Sequence, residues 1–277
     1  MRHLRSRPLE ASDGQPSTGP ARRPRGVVIS GGSSGIGAAL ARQCAARGDR
    51  LVLLGRDRAR LEAVLASLAT EATGLIADVG DLTAMRTVAG EIREQIGTPD
   101  LVIANAGVSV GTLAGEADDL IALERVLRTN VLGMAATFQP FVAAMRARGS
   151  GTLAGIASVA GLRGLPGAGA YSASKAAAIA LLESMRVELH GSGVHVVTLA
   201  PGYIDTPMTR VNRYPMPFLM DADDAAARLL AQIDRQRRFA VVPWQMGVAA
   251  RLMRLLPNVV YDRLSSRAGR KPRGLPL

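Results

Sequence analysis

Tyr171 and Lys175 stand four residues apart in the run Tyr171-Ser172-Ala173-Ser174-Lys175, so on a helix both side chains project from one face. A phenol has an ordinary pKa near ~10, too high for ready proton exchange at neutral pH, and a neighbouring ammonium favours its phenolate. The pair is therefore a candidate general acid/base with its electrostatic partner, although the spacing alone also suits an exposed surface pair. Lysine usage sharpens the reading. Lys175 and Lys271 are the only lysines among 34 lysines and arginines, which implies that position 175 requires a compact ammonium where a guanidinium would not serve. Thirteen residues before Tyr171, Ser158 closes an expected strand, and its hydroxyl could hydrogen-bond a reacting carbonyl oxygen and stabilise charge developing there.

A second constellation is Ser30-Gly31-Gly32-Ser33-Ser34-Gly35-Ile36-Gly37, which follows an expected strand and opens an expected helix. In that context glycines let the backbone turn tightly and approach a pyrophosphate, whose charge is favoured by the free N–H groups and dipole of the helix start. Gly31, Ser33, Ser34, Gly35, Ile36 and Gly37 are thus candidate residues for holding a dinucleotide. The next expected strand ends in Gly55-Arg56 and lacks the acid that selects NAD by bonding the adenosine ribose. A guanidinium offers a forked, always-charged partner to a 2′-phosphate, so NADP(H) is expected to be preferred over NAD(H). Asp57 beside it works against that preference.

The same glycine run satisfies the G-x-S-x-G pattern of a hydrolase nucleophile elbow. A hydrolase needs a late histidine base, and neither His190 nor His195 follows a suitable acid loop. With His3 these are the only histidines, and Cys44 is the only cysteine, so neither a metal site nor an internal disulfide is expected.

The elements that must position these residues alternate along the chain. Short apolar runs at 27–30, 51–54, 74–77, 101–104, 152–157, 194–200 and 239–244 read as strands. Helices are expected from Ile36, Asp57 and Asp81, twice between about 117 and 148, and from about Ala170. The strands carry few alternating polar residues, as when helices cover both faces of a sheet. The expected fold is α/β, one doubly wound parallel sheet of seven strands. Residues 1–24, with four prolines and no apolar period, read as a disordered basic leader; 25–243 as a catalytic domain; and 244–277 as an amphipathic helical extension with a basic tail.

In their order these motifs closely resemble the short-chain dehydrogenase/reductase family, in its members of roughly 250 residues. The likeness covers about 25–243 and rests on Gly31, Gly35 and Gly37; Asp78-Val79; Asn105-Ala106-Gly107; Asn130; Ser158; Tyr171 and Lys175; and Pro201-Gly202 with Thr206. The resemblance implies a Rossmann domain in which Asp78 and Val79 contact adenine and Asn105, Ala106 and Gly107 line the nucleotide site. It implies that Lys175 also holds the nicotinamide ribose, that Asn130 supports a water linking Lys175 to solvent, and that Ile204 and Thr206, beyond Pro201 and Gly202, fix the carboxamide. Tyr171 then protonates the alkoxide formed in reduction, or removes the alcohol proton in oxidation. Pairing into a homodimer or homotetramer through helices at 117–148 and 170–190 is implied as well. Ser30, Gly32 and Ala157 depart from the usual threonine, alanine and serine without removing a catalytic group. The alternative is an inactive Rossmann-type nucleotide-binding or regulatory protein, which loss of the tyrosine, lysine or serine would favour; all three are present.

Composition limits the partners. The formal charge is +11, yet aromatic residues make up 3% and no basic run is interleaved with stacking rings, so no nucleic-acid partner is expected. No apolar run reaches the roughly 18 to 20 residues of a membrane span, and the N-terminus lacks a secretory apolar stretch, which points to the cytoplasm. The arginine-rich termini are expected to be solvated. The connection 201–221 holds Tyr203, Met208, Tyr214, Met216, Phe218 and Met220, too apolar for a solvated loop, and suits closure over an apolar or lipid-like carbonyl or alcohol. Helical patterns at 246–256 and 259–264 are expected to cover the substrate cleft or a subunit contact in preference to resting on a membrane surface.

Overall fold

Val27, Val28 and Ile29 are all fully buried although successive residues of a strand point to opposite faces, which requires cover on both sides of the sheet. The computed structural model, which describes residues 4–5 and 23–275, shows that cover. The strands are β1 (Leu4–Arg5), β2 (Gly26–Ser30), β3 (Arg50–Gly55), β4 (Ala72–Ile76), β5 (Leu101–Ala104), β6 (Gly151–Ile156), β7 (Val194–Pro201) and β8 (Phe239–Val242). They lie in the order β1-β4-β3-β2-β5-β6-β7-β8. On one face Val27 and Ile29 pack with Leu40, Leu61 and Leu229; on the other Val28 packs with Ile92, Phe138 and Leu182. The first group comes from α1 (Gly35–Ala45), α2 (Arg58–Ala66) and α8 (Ala222–Asp234), and the second from α3 (Leu82–Ile96), α5 (Gly133–Arg148) and α6 (Gly169–Glu188).

Seven strands are parallel, as the apolar runs predict. The two-residue β1 is an addition: it pairs antiparallel with Thr73 and Gly74 on the outer edge of β4 and corrects the leader reading at those residues. Backbone pairing at an open sheet edge needs no apolar period, so the leader's composition carries no mark of it. Residues 1–3 and 6–22 of the expected leader lie outside the described residues.

Local signals set several helix starts. The Asp57 carboxylate accepts from the Arg60 N–H at 3.0 Å, and Asp81 accepts from Thr83 and Ala84, both at 3.0 Å, so α2 and α3 begin where free N–H groups find a side-chain acceptor. Between α4 (Asp119–Leu127) and α5 the chain does not break but widens into a π-helical turn, Arg128–Leu132, with Asn130 fully buried inside it. Such turns form where a side chain must be re-aimed at the cost of regular bonding.

The parallel register brings the chemistry to one edge. Ser30 pairs with Ala104 and Ala104 with Gly155, so the turns leaving β2, β5 and β6 open side by side where the strand order reverses.

Beyond β8 the chain forms α9 (Trp244–Leu255) and α10 (Asn258–Ser265), then crosses back over the domain. Lys271 donates to the Met208 carbonyl at 2.9 Å, and the Gly111 N–H donates to the Pro272 carbonyl at 2.9 Å. Arg273 pairs with Glu116 at 2.9 Å and Asp119 at 3.0 Å, while Leu275 packs on Val110 and Ala170. The tail is thus a strap and, at Lys271 through Leu275, not the solvated segment its basic composition suggests, because its charges find partners and Leu275 finds a core.

Burial draws the Lys271 ammonium down to about 8. An unfolded lysine titrates near ~10.4, so between about pH 8 and pH 10 the unfolded chain binds more protons, and stability attributable to this group rises with pH. Thermal melts should therefore show the wild type gaining on Lys271→Met between those limits. A constant difference would place the ammonium in water.

Candidate active site

The first turn is shaped by close contact. Gly31 has φ +67° and Gly35 φ +52°, both in the left-handed region that favours glycine. At Gly37 a Cβ would overlap the Gly31 carbonyl and the Asn105 amide, so only glycine lets α1 start this close to the loop. Asn105 holds the turn from the neighbouring strand end: its Nδ2 donates to the carbonyls of Ser30 at 3.2 Å and Gly31 at 3.0 Å. The Ser30 hydroxyl accepts from Ala106 N at 3.3 Å, so a serine serves where the family more often has threonine.

Lys175 is 3% exposed and donates to the Ile156 carbonyl at 2.7 Å, which ties the second turn of α6 to the end of β6. Its Nζ stands 5.7 Å from the centroid of the Tyr171 ring. A Cβ on Gly161 would lie 2.6 Å from the Lys175 carbonyl carbon, so glycine is required where the 3-10 turn Val159–Gly161 packs on α6. That turn is capped by Ser158, whose hydroxyl accepts from Ala160 N at 3.2 Å.

Asn130 lies behind these groups. Its Oδ1 accepts from Val108 N at 2.8 Å, and its Nδ2 donates to the Val108 carbonyl at 3.0 Å and the Ser174 hydroxyl at 2.9 Å. Ser174 in turn donates to the Tyr171 carbonyl at 2.7 Å. The π-helical turn thereby braces the helical turn that carries the phenol.

Burial raises the Tyr171 phenol above its ordinary value, and the hydrogen bond with Ser158 partly offsets that. Burial lowers the Lys175 ammonium to about 8. Desolvation thus acts on both groups, and the group hydrogen-bonded to the phenol is Ser158.

Two cavities meet around these residues. One is lined by Gly31, Ser34, Gly35, Ile36, Asn105, Ala106, Gly107, Ser158, Tyr171, Lys175, Pro201, Gly202, Ile204 and Thr206, with Met208 from the 201–221 connection. The other is lined by Ser33, Arg56, Asp78 and Val79 and shares Gly31, Ser34, Ala106 and Gly107 with the first. Together they form a groove from the Arg56 end to the Tyr171 end. Two expected residues line neither cavity: Gly37, inside the start of α1, and Asn130, behind Val108. At the far end Arg56 faces Asp78 at 3.7 Å, with both side chains about half exposed.

A hydrolase reading fails on position. His195 pairs with Thr152, which pairs with Leu101 and through it with Val27, so it sits at the opening end of the strands, opposite Ser33 beyond Ser30. Among the described residues no cluster of three metal-ligating side chains occurs.

The model of the short chain dehydrogenase family matches residues 25–216. The chain belongs to the short-chain dehydrogenases. An uncharacterized oxidoreductase of Myxococcus xanthus is 38% identical over 88% of this chain and 97% of its own. An acetoacetyl-CoA reductase of Synechocystis is 34% identical over 66% of this chain and 73% of its own. Among solved structures, levodione reductase superposes with a TM-score of 0.72 at 26% identity, over 80% of this chain and 98% of that one. Membership of the short-chain dehydrogenases makes the chain an oxidoreductase of the kind that uses a nicotinamide dinucleotide. The glycine cradle and groove described above fit that group.

Sequence reasoning missed three residues. Arg60, in the first turn of α2, lines the same cavity as Arg56 and lies 3.2 Å from Asp57. Its only signal is a further arginine close behind Arg56 in the sequence. Gly161 sets the approach of the Ser158 turn to Lys175, and its signal was a glycine three residues after the expected strand end. Lys271 had none beyond its rarity.

Proposed function

We propose that this short-chain dehydrogenase reduces apolar carbonyl compounds, or oxidises the corresponding secondary alcohols, with NADP(H) as preferred coenzyme. The observation that carries this is the groove: one end holds the phenol, ammonium and hydroxyl, and the other holds two arginines beside Ser33 and no unpaired acid. The bound nicotinamide supplies or takes up the hydride. Tyr171 Oη delivers the proton to the forming alkoxide oxygen, and Ser158 Oγ holds that oxygen by hydrogen bonding. Lys175 holds positive charge beside the phenol and binds the ribose, while Asn130 is a positioning residue acting through Val108 and Ser174. Arg56 and Arg60 receive the 2′-phosphate, with Asp78 and Asp57 as their ion-pair neighbours. Residues 25–243 form the catalytic unit and 244–277 an extension to it. Dimer or tetramer formation through α4, α5 and α6 fits Leu120 and Ile121, 68% and 58% exposed on α4.

Turnover of NADPH and NADH against a panel of apolar ketones and aldehydes tests the reading. Activity with at least one member, faster with NADPH, is expected. Binding of either coenzyme with no turnover in either direction would make the chain a binding protein. For selectivity, Arg56→Glu should shift the NADPH to NADH preference by about tenfold to a hundredfold, the worth of one charged hydrogen-bonding partner lost and a repulsion gained. An unchanged ratio would remove Arg56 from coenzyme selection.

A further inference from the structure

The outer face of the C-terminal helices is apolar and open. Trp244, Val248, Leu252 and Leu255 recur at spacings of three and four along α9 and are 69%, 45%, 60% and 79% exposed. Val259 and Leu264 extend the apolar exposure onto α10, at 75% and 66%. Isolated exposed apolar residues are ordinary on a protein surface, but seven on one helical pair, Val260 included, mark a contact surface. Met246, Gly247 and Ala250, on the opposite side of α9, are buried against the domain, so cover of the substrate cleft, one of the two roles expected of these helices, would engage only the inner side of α9.

The face cannot turn inward, because Arg163 clamps the bend between the helices. Its guanidinium donates to the carbonyls of Met253 and Leu256 and to Asn258 Oδ1, and it stacks 3.8 Å from the Tyr261 ring centroid. The Tyr261 hydroxyl donates to the Gly164 carbonyl at 2.6 Å, which fixes α10 to the same loop.

Charge selects the occupant. Arg251, Arg254, Arg263 and Arg267 are exposed on and around this face, and Asp262 is the single carboxylate between 244 and 277. A second copy meeting it by a two-fold axis would set arginines against arginines. A layer of anionic lipid satisfies both features: hydrocarbon takes the apolar side chains, and the long arginines reach phosphates at the headgroup level. We propose that α9 and α10 form an interfacial docking face for an anionic lipid membrane. Among the described residues no helix is long and apolar enough to cross one, so this is a surface contact. Inside α9, Met246 packs against Gly202 of the cavity wall, which sets the catalytic groove one helix away from the lipid.

Trp244 is the only tryptophan, so its emission reports on the face directly. The full chain is mixed with vesicles of phosphatidylglycerol and phosphatidylcholine, or of phosphatidylcholine alone. Co-sedimentation with a blue shift of emission is expected for the anionic vesicles only, weakening as salt is raised. Leu252→Glu with Leu255→Glu should lower the bound fraction about tenfold or more while coenzyme binding is kept, since two exposed leucines that would enter the hydrocarbon become two anions facing anionic lipid. Three results would overturn the proposal. The wild type does not bind; the variant binds equally well, which transfers the affinity to the N-terminal arginines it retains; or emission is already blue-shifted without vesicles and the variant turns a dimer into a monomer by light scattering, which gives the face to a second copy.

Discussion

Tyr171→Phe is expected to lower turnover by about a thousandfold, the scale of a lost general acid, while coenzyme affinity stays near the wild-type value. Phenylalanine keeps the ring and its packing on α6 and removes only the hydroxyl, so the change isolates proton delivery. Ser158 and Lys175 keep their places: Ser158 through the cap it forms with Ala160, Lys175 through the Ile156 carbonyl. The residual rate reports what hydrogen bonding and positioning provide without an acid. Because burial holds the phenol above its ordinary value, it stays protonated at neutral pH, the state needed for reduction. Oxidation needs the phenolate and should rise with pH in the wild type, whereas the phenylalanine variant should show no such rise. Single-turnover measurement with NADPH and a reducible ketone checks this, and a variant within about tenfold of wild type would dismiss the phenol as acid.

Sequence and structure part company where the signal is a contact rather than a pattern. The parallel strands were legible because each is an unbroken apolar run, and α2 and α3 because Asp57 and Asp81 mark their starts. The catalytic cluster was legible because an α-helix turns four residues into one face. Asn130 was placed in a helical region, but nothing local announces the π-helical turn, in which Asn130 bonds Val108 across 22 residues. The strap was misread for the opposite reason: its lysine, proline and arginine have the composition of solvated chain, while the carboxylates that hold Arg273 lie more than 150 residues earlier. The helices of the extension were visible by period, yet period alone does not say which of two apolar sides is inner. Arg163, which decides that for α9 and α10, carries no local mark.

Lys175→Arg should cost about a hundredfold to a thousandfold in kcat/KM although the charge is retained, because the site takes an ammonium by shape. Nζ reaches the Ile156 carbonyl at 2.7 Å in a slot bounded by Gly107 and by the Gly161 turn, which touches the backbone of residue 175 itself. A planar guanidinium is longer and wider, and it displaces either that carbonyl bond or the neighbouring turn that carries Ser158. The pH profile separates this role from packing alone. With the wild-type ammonium lowered to about 8, its charge is present below that value and lost above it, so the rate of reduction should fall as pH rises through about 8. Arginine cannot be deprotonated in that range, so the variant's remaining activity should lack this descending limb. A variant that keeps both the wild-type rate and the limb near 8 would show that another group titrates there, and that the charge at position 175 is remote from the transferred proton.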